Sequence, residues 1–210
     1  MVCIGTNYRK HAEEAGLPVP LDPVMWYKPK RSLAAPGAVY VPRAAQEAFL
    51  DFEGELVIVI GQNCRDVSES EADRYILGYT IGNDLTARHF QDPKRGGGQF
   101  TRCKAFDNFA PIGPWLVEKG KFGSLSDKKV LTTVNGKEQQ NSDLDLIHGP
   151  QKLVSFLSQG TTLTAGTLIM TGSPPGVGWF QNPKVNLKNG DVVEVEISGI
   201  GKLSNTMQFE

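Results

Sequence analysis

Paired cysteines, net charge and long apolar runs are what this chain lacks. Its three cysteines, Cys3, Cys64 and Cys103, form an odd and widely spaced set without a C-x-x-C pair. That excludes a disulfide framework and a thiolate zinc site, and it reads as the reduced thiols of an intracellular protein. The formal charge is −1, from 22 Lys and Arg against 23 Asp and Glu, with no block of either sign. A nucleic-acid partner or an anionic membrane surface would require a basic stripe, so neither is expected. No apolar run approaches membrane-spanning length, and Met1-Val2-Cys3-Ile4-Gly5 reads as a core strand, not as a targeting segment. A cytoplasmic or mitochondrial location is expected, and a parent chain longer at its N-terminus would be compatible with it.

What is present suffices for a core: 40% of the 210 residues are apolar, read as one domain over 1–210. The 23 glycines and 13 prolines cut the chain into short segments, as in a β-rich fold. Strands are expected over residues 2–6, 24–27, 56–60, 75–81, 167–171 and 192–197. A hairpin over 130–140 turns at Asn135-Gly136, the favoured two-residue turn. Short helices are expected near 7–14, ended by Gly16, and over 150–157. Another starts at the capping-box spacing of Ser68 and Glu71, and residues 85–90 read as a helical turn. The class is α+β, predominantly β.

The chain is organised around Asp51-Phe52-Glu53-Gly54-Glu55-Leu56-Val57-Ile58-Val59-Ile60. The apolar run reads as a buried strand with two carboxylates at its entrance. Residues i and i+2 of a strand share a face, so Glu53 and Glu55 aim into one space. Like charges so close repel unless a cation or a proton lies between them. Gly54 lets something approach closely from the other face. Asp84, at the end of another expected strand, is placed to join the pair, and three hard oxygen donors describe a Mg²⁺ or Mn²⁺ site. An exposed strand with Asp84 as a helix cap would give the same spacing.

His11 and Glu14, three apart, share a helix face, and a carboxylate beside an imidazole fixes its tautomer for general-base work. A solvated surface pair reads the same way. Lys104 and Lys28 offer positive charge to an anionic substrate or a developing enolate. Arg88 and Gln91 can aim a guanidinium and an amide together. The loop Thr171-Gly172-Ser173-Pro174-Pro175-Gly176-Val177-Gly178 can present N–H groups and hydroxyls to a carboxylate, although a Gly/Pro loop often only connects. His89 and His148 read as ordinary surface or loop histidines.

In order along the chain stand Asn7-Tyr8-x-x-His11-x-x-Glu14, Lys28-Pro29, Glu53-Gly54-Glu55-Leu56, Asn83-Asp84-Leu85-Thr86-Ala87-Arg88, Lys104-Ala105-Phe106-Asp107 and the loop at 171–178. This series resembles the fumarylacetoacetate hydrolase family, specifically its short members, from about Gly5 to the end. The resemblance implies mixed β-sheets rolled into a compact barrel-like structure with a few short helices, and a homodimer. It assigns Glu53, Glu55 and Asp84 as metal ligands and His11, Glu14 and Lys104 to catalysis. Arg88, Gln91, Lys28, Thr171 and Gly172 would meet the substrate. Two departures are visible: the family's small N-terminal domain is missing, and Ser173 stands where threonine is commoner.

The activity so implied is a Mg²⁺-dependent (or Mn²⁺-dependent) hydrolase or lyase acting on small 2-oxo acids. It would cleave a C–C bond of an acylpyruvate or fumarylacetoacetate-like acid, or decarboxylate an oxaloacetate-type acid, through an enolate held by the metal. One enolate serves three reactions, so oxaloacetate keto–enol tautomerisation is the alternative within the family. A non-catalytic dimeric scaffold is the alternative outside enzymology, and no residue pattern favours it, because every chemical position is filled.

Overall fold

The apolar run at 56–60 becomes the middle of the molecule. In the computed structural model, which describes residues 1–210, it is the centre of a seven-stranded sheet. With strands numbered along the chain, the spatial order is β2 (Val24–Tyr27), β1 (Val2–Gly5), β12 (Leu168–Met170), β6 (Gly54–Ile60), β7 (Ile76–Asn83), β9 (Ala110–Glu118) and β3 (Leu33–Ala34). A five-stranded sheet follows the order β11 (Lys137–Asp143), β10 (Lys129–Val134), β13 (Val192–Ile197), β14 (Gly201–Phe209) and β4 (Gly37–Val41). A short ribbon pairs β5 (Leu50–Asp51) with β8 (Thr86–Ala87). The fold is thus one of mixed sheets, one curled into a half-barrel, with few short helices. No helix is long and apolar enough to cross a membrane.

The parity of β6 divides the interior. Leu56, Ile58 and Ile60 face the five-stranded sheet, sharing a core with Val130, Val195, Ile197 and Leu203 and with Leu153, Val154 and Leu157 of helix Pro150–Ser158. Both faces of β6 are covered, so its sequence is a continuous apolar run instead of an alternating one. Gly54 is required by the same contact: a Cβ there would lie 2.2 Å from Thr132 Oγ1 and 2.8 Å from Val195 Cγ1. On the opposite face Val57 joins Cys3, Trp26, Ala110 and Met170 in a smaller cluster. Glu53 and Glu55 have the parity of Val57, and that cluster is the floor beside them.

The expected elements at 24–27 and 192–197 form with those bounds. The helix Arg9–Ala15 ends on Gly16 in the left-handed region, and the Asn135-Gly136 turn has φ of 51° and 76°. Residues 85–90 differ from expectation, because Thr86 and Ala87 pair with β5 before the chain makes the single turn Arg88–Gln91. Ser68 precedes its helix but donates to Glu71 Oε2 at 2.8 Å, not into a full capping box. His148 is no surface residue. It is 8% exposed, and its N–H and carbonyl are both held by the Asn7 side chain.

Candidate active site

Register brings the acids together. Gly54 stands opposite Asn83 in the β6–β7 pair, and the Asp84 N–H donates to the Glu53 carbonyl at 2.8 Å. One carboxylate oxygen each of Glu53, Glu55 and Asp84 lies within 4.8 Å of the others, and all three residues are buried. Around them, Lys104 Nζ donates to Glu53 Oε2 at 2.7 Å, to Asp84 Oδ2 at 2.6 Å and to Thr86 Oγ1 at 3.0 Å. Arg88 reaches Glu53 Oε1 and Asp51 Oδ2, each at 2.7 Å, and Gln91 Oε1 at 3.0 Å. Lys28 Nζ stands 2.5 Å from Asp84 Oδ1 and donates to the carbonyls of Leu85 and Phe109.

This cluster gathers every buried carboxylate, lysine and arginine of the chain: Asp51, Glu53, Glu55 and Asp84 against Lys28, Arg88 and Lys104. Four acids face three cations, leaving one negative charge in excess. The excess sits on Glu55, which is 1% exposed and has no cation in ion-pair reach. Its one hydrogen bond is from the Gly172 N–H to Oε2, at 2.8 Å.

The pKa directions follow. Burial, then the Asp84 and Glu53 charges, push the Glu55 carboxyl well above its ordinary range. Burial acts on Glu53 too, but Lys104 and Arg88 outweigh it and hold that carboxyl at about 2. Burial alone would lower the Lys104 ammonium, yet Asp84 and Glu53 raise it above its ordinary value. A hard divalent cation fits this donor set. The ligating atoms are all carboxylate oxygens, each with lone pairs to spare, and the local charge calls for a cation.

A cavity of about 160 Å³ opens beside the cluster. His11, Glu53, Arg88, Gln91, Lys104 and Ser173 supply its polar lining, and Leu17, Trp26, Phe100, Trp179 and Phe180 its apolar lining. His11 Nδ1 pairs with Glu14 Oε2 at 3.0 Å, while Glu14 Oε1 accepts from the Gly176 N–H at 3.0 Å. The dyad is thereby tied to the loop at 171–178.

Three residues expected at the substrate do not line the cavity. Lys28 is 2% exposed and lies behind Asp84, where it balances charge. The Thr171 hydroxyl donates to the Leu56 carbonyl at 3.0 Å, and the Gly172 N–H serves Glu55. Ser173 is the residue of that loop lining the cavity. Asp51 was not singled out from the sequence. It holds Arg88, Gly178 and Trp179, and its spacing of two from Glu53 was the signal available.

The sequence profile described as fumarylacetoacetate (FAA) hydrolase C-terminal matches residues 1–208. A protein of Archaeoglobus fulgidus with no assigned activity is 45% identical over 208 residues, 98% of this chain and 77% of its own. The mitochondrial oxaloacetate tautomerase fahd2 of Xenopus laevis is 38% identical over 98% of this chain and 64% of its own. Among solved structures, a 5-carboxymethyl-2-hydroxymuconate delta-isomerase of Mycobacterium smegmatis superposes with a TM-score of 0.84 at 39% identity. That match covers all of this chain and 78% of the isomerase.

Proposed function

Since the chain belongs to the fumarylacetoacetate hydrolase family, we propose that it is a divalent-metal enzyme acting on a small 2-oxo acid by way of its enolate. The observation carrying this reading is the convergence of every buried charge on one cluster, with Glu55 uncompensated, beside a cavity that His11 lines. Glu53, Glu55 and Asp84 would hold Mg²⁺ or Mn²⁺. When bound, the ion supplies Lewis acidity to the 2-oxo group. It also turns a cluster with one negative charge in excess into one with a positive excess, which suits an anionic acid.

The chain's own residues supply the rest. Arg88 keeps guanidinium N–H groups beyond those on Asp51, Glu53 and Gln91 for a carboxylate or an enolate oxygen. Lys104, whose three N–H groups are taken by Glu53, Asp84 and Thr86, adds fixed positive charge nearby. His11, with Nδ1 held by Glu14, has Nε2 to move a proton on and off the carbon beside the 2-oxo group. The aromatic lining of the cavity keeps bulk water from that carbon. Keto–enol exchange of an oxaloacetate-type acid needs nothing further, and the relatives' names, tautomerase and isomerase, agree with it. The dyad favours a second reading, hydrolysis of a C–C bond in an acylpyruvate, in which His11 draws a proton from water. Decarboxylation would use the same enolate without water. A homodimer is proposed as the assembly, with exposed Trp115, Leu116 and Leu77 as apolar surface available to it.

The test is a panel of oxaloacetate and several acylpyruvates. Enol absorbance follows tautomerisation, and mass-resolved products separate hydrolysis from decarboxylation, with EDTA and then with Mg²⁺ restored. Conversion that persists in EDTA rejects the metal, and no conversion of any substrate favours the scaffold.

A further inference from the structure

Asp51 lies outside the carboxylate triad, yet it is fully buried and accepts more hydrogen bonds than any of the three. Its partners come from two stretches far apart in the chain, each of which contributes a residue to the cavity lining. Arg88 Nε donates at 2.7 Å. The N–H groups of Gly178 and Trp179 donate at 2.7 and 3.1 Å. The approach depends on Gly178, where a Cβ would lie 2.8 Å from Asp51 Oδ1 and 2.0 Å from the Val185 carbonyl oxygen. The Trp179 ring beyond it is held edge-on by Phe49 at 4.9 Å and capped by the Lys184 ammonium at 3.2 Å.

We propose that Asp51 is a positioning residue whose carboxylate locks the Arg88 guanidinium and the Trp179 backbone together, so that a 2-oxo acid meets both of these cavity-lining residues preformed. The proposal rests on the reading of the cavity as a 2-oxo acid site. Four N–H donors converge on Asp51: those of Arg88, Gly178 and Trp179, and the Phe52 N–H at 2.9 Å. A carboxylate, acceptor only, suits all four. An asparagine keeps the size but sets an amide donor against two of them, because each Asp51 oxygen accepts two, and it removes the countercharge of Arg88 Nε.

The test measures oxalate, an unreactive analogue of a 2-oxo acid, binding to protein saturated with Mn²⁺. The proteins are the wild type, Asp51→Asn, Arg88→Gln and the double variant, and amide hydrogen exchange at Trp179 is followed in parallel. Asp51→Asn is expected to weaken oxalate by about 10-fold or more and to speed exchange at Trp179. Because part of the Asp51 effect on the ligand passes through Arg88, the double variant is expected to lose less oxalate affinity than the two single losses combined. Unchanged oxalate affinity in Asp51→Asn, or additive losses in the double variant, overturns the proposal. If Asp51→Asn does not fold, the double variant, which removes both charges together, decides by its loss beyond that of Arg88→Gln, where about 10-fold or more overturns the proposal. Wild-type protein that takes Mn²⁺ but no oxalate rejects the site reading and this role with it, an outcome distinct from loss in the variants alone.

Discussion

Glu55→Gln tests the charge argument at its most exposed point. Glutamine keeps the shape, and its carbonyl can still accept from the Gly172 N–H, so the charge is lost while that bond is kept. Burial penalises the charge first; at separations within 4.8 Å, each of Glu53 and Asp84 also repels it by about 3.5 kcal/mol or more at an effective dielectric of ~20. The nearby cations offset much of that, leaving a net penalty of about 2 kcal/mol. Without metal, Glu55→Gln is therefore expected to raise stability by about 2 kcal/mol, or ~4–8 °C in melting temperature for a chain of this size. With metal the order reverses. Wild type at a Mg²⁺ concentration of ~100 Kd gains about 2.7 kcal/mol, while the variant, short of one ligand, gains little.

The sign of the pH dependence agrees. The Glu55 carboxyl is raised in the folded state, so in EDTA its own contribution to wild-type stability is most favourable in acid, while Glu53, held at about 2, contributes with the opposite sign. The Glu55 contribution is lost as pH climbs from the ordinary carboxylate range toward that raised value, and the variant lacks this loss. Calorimetric melts in EDTA and in Mg²⁺ read both effects. A variant that melts below wild type in EDTA, or gains as much from Mg²⁺, would refute the reasoning.

Three further outcomes are expected. His11→Ala should lower turnover by about 10²-fold or more while the Mg²⁺-induced rise in melting temperature persists; its loss would mean that His11 serves the metal. Lys28→Met leaves Asp84 without its second cation and should cost about 3–5 kcal/mol in EDTA, seen as a lower denaturant midpoint at unchanged slope and partly restored by Mg²⁺. Gly54→Ala drives a methyl group into Thr132 and Val195 and should cost about 1–3 kcal/mol, with weaker Mg²⁺ binding because Glu53 and Glu55 flank the displaced residue. Normal stability there would show that the sheets can part.

Local pattern reached far into the fold. The alternation in β13, the Asn-Gly turn and the apolar run of β6 each state a local preference that the tertiary structure keeps. It failed where packing overrides composition. β9 carries Pro111, Gly113 and Pro114 yet runs nine residues, because it lies near the edge of its sheet. β14, with its run of polar residues, is held by neighbours on both sides.

In the site, spacing brought out the side chains that share a strand or helix face: Glu53 with Glu55, and His11 with Glu14. It could not tell which way an isolated side chain turns. Lys28 reads as a substrate cation until its burial behind Asp84 is seen, and Thr171 offers a hydroxyl that the Leu56 carbonyl already holds. Asp51 continues the alternation of Glu53 and Glu55, but its N–H partners Gly178 and Trp179 lie 127 and 128 residues along the chain, a contact that spacing does not reveal.

β1 does not pair with β6; between them lies β12, parallel to the first and antiparallel to the second. The helix bearing His11 hangs from β1, whereas two of the acids stand at the start of β6. His11 and the acids therefore depend on strands that the sheet joins only through residues 168–170, a segment more than a hundred and fifty positions beyond the histidine. A chain cut short before that strand would carry His11, Glu53, Glu55 and Asp84 without the piece that sets them in register.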